Sequence, residues 1–180
     1  MSADRVAWAE DLARTHLAST LPRRWRHVQG VVRHASSAVP VVDDADLLIA
    51  AAWLHDIGYA PDVRRTGLHP VDGAKFLETL GADDRLCGLV ANHSCACVEA
   101  RNRGVPIDWP DEETAVRDAL WWADMVTTPS GEPTDVESRI AEVCERYGPD
   151  HVVAKSVTEA APALLAASER TERLLARIPR

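Results

Sequence analysis

The amino-acid sequence predicts an all-α protein, a single-domain helical bundle, from three observations. Apolar residues recur with the period of an amphipathic helix through most of the chain. Prolines and glycines interrupt this pattern at intervals that suit helix ends, and acidic residues precede several of the apolar segments. No segment alternates apolar and polar residues in the way that a half-buried β-strand requires.

The predicted helices follow one another with short connections. Pro22 and Pro70 suit the first turn of a helix, where the backbone N–H that proline lacks is not needed. Gly148 and Pro149 end the helix before the last one, and a polar stretch with a glycine over 99–108 is predicted to be a connection. The helices are expected at about 4–19, 22–36, 43–56, 69–80, 83–94, 109–124, 135–147 and 156–178.

We expect the bundle to be organised around an apolar run without charge over 47–54. A helix that is apolar on every side is buried on every side, so this run predicts the central helix. Acidic residues over 43–46 suit the positive end of its dipole. His55 and Asp56 follow the run directly, and Gly58 is predicted to stop the helix there.

Composition and charge exclude several classes of protein. The chain has 180 residues and a net charge of −8, which argues against binding to nucleic acid polymers because phosphate backbones require a basic surface. No run approaches the about 18 apolar residues of a membrane span, so no membrane association is expected. The N-terminal residues lack the order of a signal peptide, and the four cysteines form no Cys-x-x-Cys pair. These features predict a cytoplasmic protein with reduced thiols.

Several side chains that can bind metals lie at predicted helix ends. His55 and Asp56 end the central helix, His69 begins a later helix, and His93 closes another. Asp124 lies near the end of an apolar helix, where a carboxylate is costly unless it is paired or binds a cation. Each of these residues has a simpler interpretation as a polar cap, so the metal hypothesis depends on their combination.

His27 and His34 lie on the helix predicted over 22–36, seven residues apart. They share one face of this helix but are two turns apart, too far to bind one ion together easily. Cys95 and Cys97 could suggest a zinc thiolate site, but no second cysteine pair accompanies them.

The ordered set of these residues resembles the HD-domain superfamily of metal-dependent phosphohydrolases. The motifs that carry the resemblance are Arg26-His27-Val28, the segment 53–59 around His55-Asp56, and Ala123-Asp124-Met125. The resemblance covers about 22–129 and implies an HD-type helical bundle. We therefore expect one HD-type domain over 1–180, with a metal-binding core at about 22–129 and flanking helices at about 4–19 and 134–178.

The resemblance implies that His27, His55, Asp56 and Asp124 bind a first metal ion. Ligand sets that mix imidazole and carboxylate suit the divalent transition metals Mn²⁺, Fe²⁺, Co²⁺, Ni²⁺ and Zn²⁺ better than Mg²⁺ or Ca²⁺. One or two ions are compatible with the pattern.

The resemblance also implies a second ion, bound by His69 and His93, with the carboxylate of Asp56 bridging both ions. Asp56, His69 and His93 are therefore candidates for catalytic roles. Asn92 stands where some relatives carry a further histidine, so the second ion would have one imidazole fewer than in those relatives.

Basic residues near these motifs are candidates for binding a substrate phosphate. Arg64 and Arg65 lie in the loop before His69, and arginine pairs phosphate oxygens through its forked guanidinium. The sequence does not choose among the candidates, which are Arg26, Arg64, Arg65, Lys75 and Arg101.

The expected activity is hydrolysis of a phosphoester or phosphoanhydride of a small metabolite, a nucleotide or a dinucleotide, by a metal-activated water. One alternative is an HD-type di-iron oxygenase, which is similar in its ligand set, and another is a metal-binding sensor with little turnover. The chain lacks the Gly-Tyr-Pro motif of cyclic-di-GMP phosphodiesterases, which counts against that activity. The sequence is also compatible with a homodimer.

Overall fold

The computed structural model of the protein describes the backbone of residues 2–179 and the side chains of residues 5–179. Within this range the structure is all-α and has no strand beyond an isolated bridge between Thr127 and Pro133, which confirms the predicted fold class. Short 3-10 turns lie at Val39–Val41, Ile57–Tyr59 and His93–Cys95. The helices are α1 (Ser2–Leu17), α2 (Pro22–Ala38), α3 (Ala45–Leu54), α4 (His69–Thr79), α5 (Asp84–Asn92), α6 (Ala96–Arg103), α7 (Ala115–Met125), α8 (Val136–Tyr147) and α9 (Val152–Leu175).

The predicted connection over 99–108 is wrong in its first half, because α6 extends to Arg103. Glu99 accepts a hydrogen bond of 2.7 Å from Arg103 one turn later, which supports the helix. Gly104 ends it in the left-handed conformation, with φ +68°. The pair and the glycine are both visible in the sequence, but the short, polar segment has no apolar face that would predict a helix.

Two further helices begin at their own caps rather than at the predicted positions. α7 begins five to six residues after the predicted start, because the hydroxyl of Thr114 accepts the backbone N–H of Arg117. α9 begins before the predicted 156, since the ring of His151 accepts a backbone N–H in its first turn. Although α9 has 24 residues, no helix among the described residues combines the length and apolarity that crossing a membrane requires.

The central helix α3 packs against α1, α2 and α7. Ala50, Ala51, Ala52 and Leu54 are fully buried, as the run without charge predicts. Alanine side chains are small, so the neighbouring helices approach α3 closely and leave its end little freedom to move. The residues that follow α3 are therefore held in the middle of the protein.

Gly58 has a different role from the predicted one. α3 already ends at Leu54, and Gly58 lies in a 3-10 turn without a left-handed conformation. A Cβ atom at Gly58 would lie 1.9 Å from the carbonyl oxygen of His69 and 2.7 Å from the backbone nitrogen of Gly73. Glycine is required here because the backbone of α4 passes directly against this turn.

Asp72 in the first turn of α4 organises the loop that precedes His69. Its carboxylate accepts the backbone N–H groups of Arg65 (3.0 Å), Thr66 (2.8 Å) and Gly67 (3.0 Å). It also accepts the hydroxyl of Thr66 at 2.7 Å. The start of α4 and the preceding loop are thus tied to a single buried carboxylate.

We expect Asp72→Ala to lower the free energy of unfolding by about 2–3 kcal/mol, because three backbone N–H groups would lose their acceptor. Burial raises the pKa of Asp72, but the hydrogen bonds from Thr66, Arg65 and Gly67 outweigh it and lower the pKa below its ordinary value. The stabilisation is thus present above the ordinary carboxyl pKa and is lost as the pH falls through the folded-state pKa.

Denaturant unfolding of the wild type and of Asp72→Ala measures this effect. The difference in unfolding free energy should be largest near neutral pH and should shrink below about pH 4. A difference that stays constant with pH would contradict the role of the ionised carboxylate.

Candidate metal centre

The structure brings all the predicted metal ligands into one cluster, to which helices from distant parts of the chain contribute. Most of these residues stand at helix ends, whereas His27 lies within α2. All are buried except His69, whose side chain is 19% exposed. The cluster consists of His27, His55, Asp56, His69, His93 and Asp124.

The carboxylate of Asp56 stands between two pairs of histidines. The Nε2 atoms of His27 and His55 lie 3.6 and 3.3 Å from its Oδ2 atom. The Nε2 atoms of His69 and His93 lie 3.2 and 3.8 Å from its Oδ1 atom. Each pair forms with Asp56 a group whose donor atoms lie within 4.8 Å of one another, a separation that one metal ion can span.

Asp124 joins the first of these groups. Its Oδ1 atom lies 3.0 Å from Nε2 of His27 and 4.0 Å from Nε2 of His55. Its other oxygen accepts a hydrogen bond from the hydroxyl of Ser94. Ser94 and Cys95 both have left-handed backbone conformations, with φ of 49° and 59°, so strained backbone lies directly beside the cluster.

Backbone carbonyl groups orient three of the histidine rings. A carbonyl can only accept a hydrogen bond, so Nδ1 of each ring must carry the proton, and Nε2 of the neutral ring then presents a lone pair to the cluster. The acceptors are Thr128 (2.9 Å from His27), Ala52 (2.8 Å from His55) and Val90 (2.7 Å from His93).

This arrangement fits a bound cation. Nε2 of His55 is buried without a hydrogen-bond partner among the described residues, although it faces the carboxylates of Asp56 and Asp124. Nε2 of His69 lies 3.1 Å from Nε2 of His93. Lone pairs at these separations repel unless a proton or a metal ion lies between them. The mixed imidazole and carboxylate donors suit a divalent transition metal, which supports the prediction of a divalent metal site.

The charges around the cluster keep its carboxylates ionised. Burial alone would raise the pKa of Asp56, but Arg24 and His55 hold it well below its usual range. Burial would likewise raise the pKa of Asp124, but the contact with Nε2 of His27 and the charge of His55 lower it instead. Both carboxylates are therefore available to a cation at neutral pH.

The imidazoles respond differently to burial. Burial lowers the pKa of His93 to about 3, with the neighbouring His69 and His55 adding to the effect, so its ring is neutral near pH 7. Burial also opposes the charged form of His55, but the negative charges of Asp56 and Asp124 outweigh it and raise its pKa. The two carboxylates thus favour positive charge at His55, as they would favour a bound metal ion.

The sequence analysis missed Arg24, the arginine that lies closest to the cluster. Nη1 of Arg24 donates a hydrogen bond of 2.6 Å to Oδ2 of Asp56, and its guanidinium lies 4.0 Å from the centre of the Tyr59 ring. The Tyr59 ring in turn stacks on His69, with 3.9 Å between the ring centres. Arg24 precedes His27 by three residues, so it shares a helix face with this histidine, and that spacing was the available signal.

Four of the five predicted phosphate-binding residues lie away from the cluster. Arg26 is exposed on α2, and Arg101 pairs with Glu159 on the surface. Arg65 and Lys75 line a separate cavity with apolar residues of α4. Only Arg64 lies near the cluster, in a cleft that Tyr59 and His69 also line.

The position of His27 depends on close packing between the backbone of α2 and the turn after α7. A Cβ atom at Gly30 would lie 2.6 Å from the carbonyl oxygen of Gly131, and one at Gly131 would lie 2.2 Å from the carbonyl oxygen of Arg26. The turn after α7 therefore lies directly against α2, which brings the carbonyl of Thr128 to the ring of His27.

Four residues of the cluster form one wall of an open cavity, namely Asp56, His69, His93 and Asp124. The opposite wall comes from α8 and α9, helices that the sequence analysis treated as flanking elements without a motif. The α8 residues on this wall repeat at helical spacing and are Arg139, Val143, Arg146 and Tyr147.

Comparison with known protein families gives a match to the family described as HD domain, over residues 24–150. No curated protein and no solved structure matches the chain. The matched region contains every residue of the cluster and extends through α8, beyond the predicted core at 22–129. Since the match covers more than half of the chain, it confirms the predicted resemblance, and the protein belongs to the HD domain family.

Proposed function

We propose that the protein is a phosphohydrolase with two divalent metal ions, and that it hydrolyses a phosphoester or phosphoanhydride of a small metabolite such as a nucleotide or a dinucleotide. The HD domain family typically consists of metal-dependent phosphohydrolases. The observation that carries the proposal is the position of Asp56, whose two oxygens face separate histidine pairs. Such a carboxylate is suited to bridging two ions.

In this proposal Asp56 would contribute to both metal sites. His27, His55 and Asp124 would hold one ion, and His69 and His93 would hold the other. When bound, such ions lower the pKa of water and neutralise phosphoryl oxygens.

Protein groups supply the remaining functions. Arg24 lines the same cavity as Asp56 and offers a guanidinium for an oxygen of the phosphoryl group. Tyr59 stacks between Arg24 and His69 and limits the rotation of both. The free cysteines fit a reducing compartment, and we propose that the protein acts in the cytoplasm.

A panel of phosphoesters, nucleotides and dinucleotides tests the proposal, with the protein loaded separately with Mn²⁺, Fe²⁺, Co²⁺, Ni²⁺ or Zn²⁺. Phosphate release should require the metal, and the metal content of each sample should be measured in parallel. Protein treated with a chelator and then reloaded provides the control.

Two outcomes would contradict phosphohydrolysis. Oxygen consumption by the iron form without phosphate release would favour the di-iron oxygenase, because four imidazoles and two carboxylates also suit iron. Stable metal binding without turnover on any member of the panel would favour a sensor.

Two arginines of α2 can be compared directly, namely Arg24, which lies at the cluster, and Arg26, one of the five candidates named from the sequence. We expect Arg24→Gln to lower kcat/KM about 100-fold at saturating metal, because it removes a guanidinium beside the reacting group. Arg26→Gln should change kcat/KM less than about twofold, since its side chain is exposed. Metal content and helicity of both variants should be measured alongside the kinetics. The reverse order of effects would favour Arg26 over Arg24 as the group that binds phosphate.

A further inference from the structure

The cavity wall opposite the metal cluster carries a second concentration of positive charge. Arg139 and Arg146 of α8 both line the cavity, two helical turns apart on one face. The only other arginine among the lining residues is Arg24, and Asp56 already pairs with it. The positive charge available to a ligand at this wall therefore comes from α8.

The two guanidinium groups converge although their backbones are two turns apart. Both donate to Oε2 of Glu142, Arg146 at 3.1 Å and Arg139 at a shorter distance. Two arginines against one carboxylate leave one positive charge without an acidic partner among the side chains that the structure describes. A convergent arginine pair is the arrangement that binds phosphate or carboxylate groups.

Arg139 has unsatisfied hydrogen-bonding capacity in addition to its charge. The residue is only 8% exposed, and its Nε atom is buried without a hydrogen-bond partner among the described residues. Burying a guanidinium is costly for folding, and an anionic ligand in the cavity beside Arg139 would offset part of this cost.

The surface between these arginines and neighbouring positions of α9 is mainly apolar. Val143 lies between Arg139 and Arg146 on α8, and Val157 and Ala160 of α9 line the cavity beside it. A ligand that reaches from the metal cluster to the arginines would therefore place an uncharged, carbon-rich segment against this surface.

We propose that the substrate carries a second anionic group, a phosphate or a carboxylate, which Arg139 and Arg146 bind while the reacting phosphoryl group lies at the metal ions. Glu142 holds the arginine pair together in the absence of substrate and competes with the second anionic group. The inference rests on the proposed function, since it requires the first phosphoryl group to lie at the cluster. It narrows the substrate to phosphorylated metabolites with two separated anionic groups.

Binding of phosphonates, which are not hydrolysed, tests the inference on the full chain loaded with Mn²⁺. Calorimetry would compare linear alkane bisphosphonates of increasing length with monophosphonates of the same lengths. At one length or a narrow range of lengths, the bisphosphonate should bind at least about tenfold more tightly than its matched monophosphonate. Equal affinities at every length would overturn the inference and leave the proposed function intact. Failure of the monophosphonates to bind metal-loaded protein would instead contradict the proposed function, and the inference would fall with it.

Variants of α8 show which side chains bind the second anionic group. Arg146→Met and Arg139→Met should each abolish the preference for the bisphosphonate while leaving the monophosphonate affinity within about twofold. Arg139 is buried, so Arg139→Met can lose stability as well as binding. Arg146→Met and Glu142→Gln test the inference without relying on that variant.

Glu142→Gln should tighten bisphosphonate binding severalfold, because it removes the competing carboxylate. Arg173→Met, which changes an exposed arginine of α9, controls for net charge. A preference for bisphosphonates that survives in Arg146→Met, or a Glu142→Gln variant that binds them no more tightly than wild type, would overturn the assignment.

Discussion

Asp56→Ala should reduce the bound metal from about two ions per chain to none that survives dialysis, and should reduce turnover about a thousandfold. The reason is that Asp56 belongs to both groups of donor atoms, so its removal takes a ligand from each ion. The helical fold should remain, since the apolar residues around α3 are unchanged. Elemental analysis, circular dichroism and phosphate release on the same samples measure the three quantities.

Single histidine variants show whether the two sites are separate. His69→Ala and His93→Ala should each lower the metal content from about two ions to about one, because both rings lie at Oδ1 of Asp56. His27→Ala should instead weaken binding of the first ion. Full retention of metal in both the His69 and His93 variants would contradict the two-ion assignment and would leave these rings as hydrogen-bond donors to the substrate.

His34→Ala is the matched control on α2. Its ring contacts the hydroxyl of Thr127 at 2.9 Å and the edge of Trp122, away from the metal-facing atoms. We expect metal content and kcat to stay within about twofold of the wild type, with at most about 1 kcal/mol lost from the stability. A loss of metal comparable with that of His27→Ala would mean that the α2 face is assigned wrongly.

Gly58→Ala should lower the stability by about 3 kcal/mol and remove the second ion. The added methyl group would lie 1.9 Å from the carbonyl oxygen of His69, so the turn and the start of α4 must separate. Separation moves the His69 ring away from Asp56, from which it now stands 3.2 Å. In a protein of this size the midpoint of thermal unfolding should fall by about 6–12 °C.

Gly81→Ala is the appropriate comparison for this substitution. Gly81 has φ +77°, and no atom lies within 4 Å of an added Cβ atom. The substitution should therefore cost about 1–2 kcal/mol through backbone strain alone, with the metal content unchanged. Thermal unfolding and elemental analysis of both variants separate strain from steric displacement. A Gly58→Ala variant that keeps both ions would contradict the close approach of α4.

The sequence by itself determined the fold class and the order of the metal-facing residues. Helices depend on local features such as apolar period, caps and proline, and these are present in the sequence around each element. The cluster was predictable because His55, Asp56 and Asp124 lie beside apolar runs, where polar groups are costly unless they are used. The assignment to a metal site depended on combining them with His27, His69 and His93. The structure places all six residues together.

The tertiary structure alone decided which neighbours surround the cluster. Arg24 rather than Arg26 reaches Asp56 because α2 turns the face that Arg24 shares with His27 towards the end of α3. The spacing within α2 indicates which residues share that face, but the packing against α3 decides that it is the buried one. Likewise, Arg139 joins the cavity only because α8 folds back across it, far along the chain from Asp56. Such contacts depend on the packing of whole helices against one another.

At Gly58, too, the sequence predicts one role for the residue and the tertiary structure gives it another. The sequence suggests a glycine whose backbone freedom ends a helix, whereas in the structure its lack of a side chain lets α4 pass against the turn. Which of these two properties of glycine is used depends on the approach of His69, eleven residues further along the chain. A local pattern therefore predicts that a residue type is needed, and the packing of distant segments decides the physical reason.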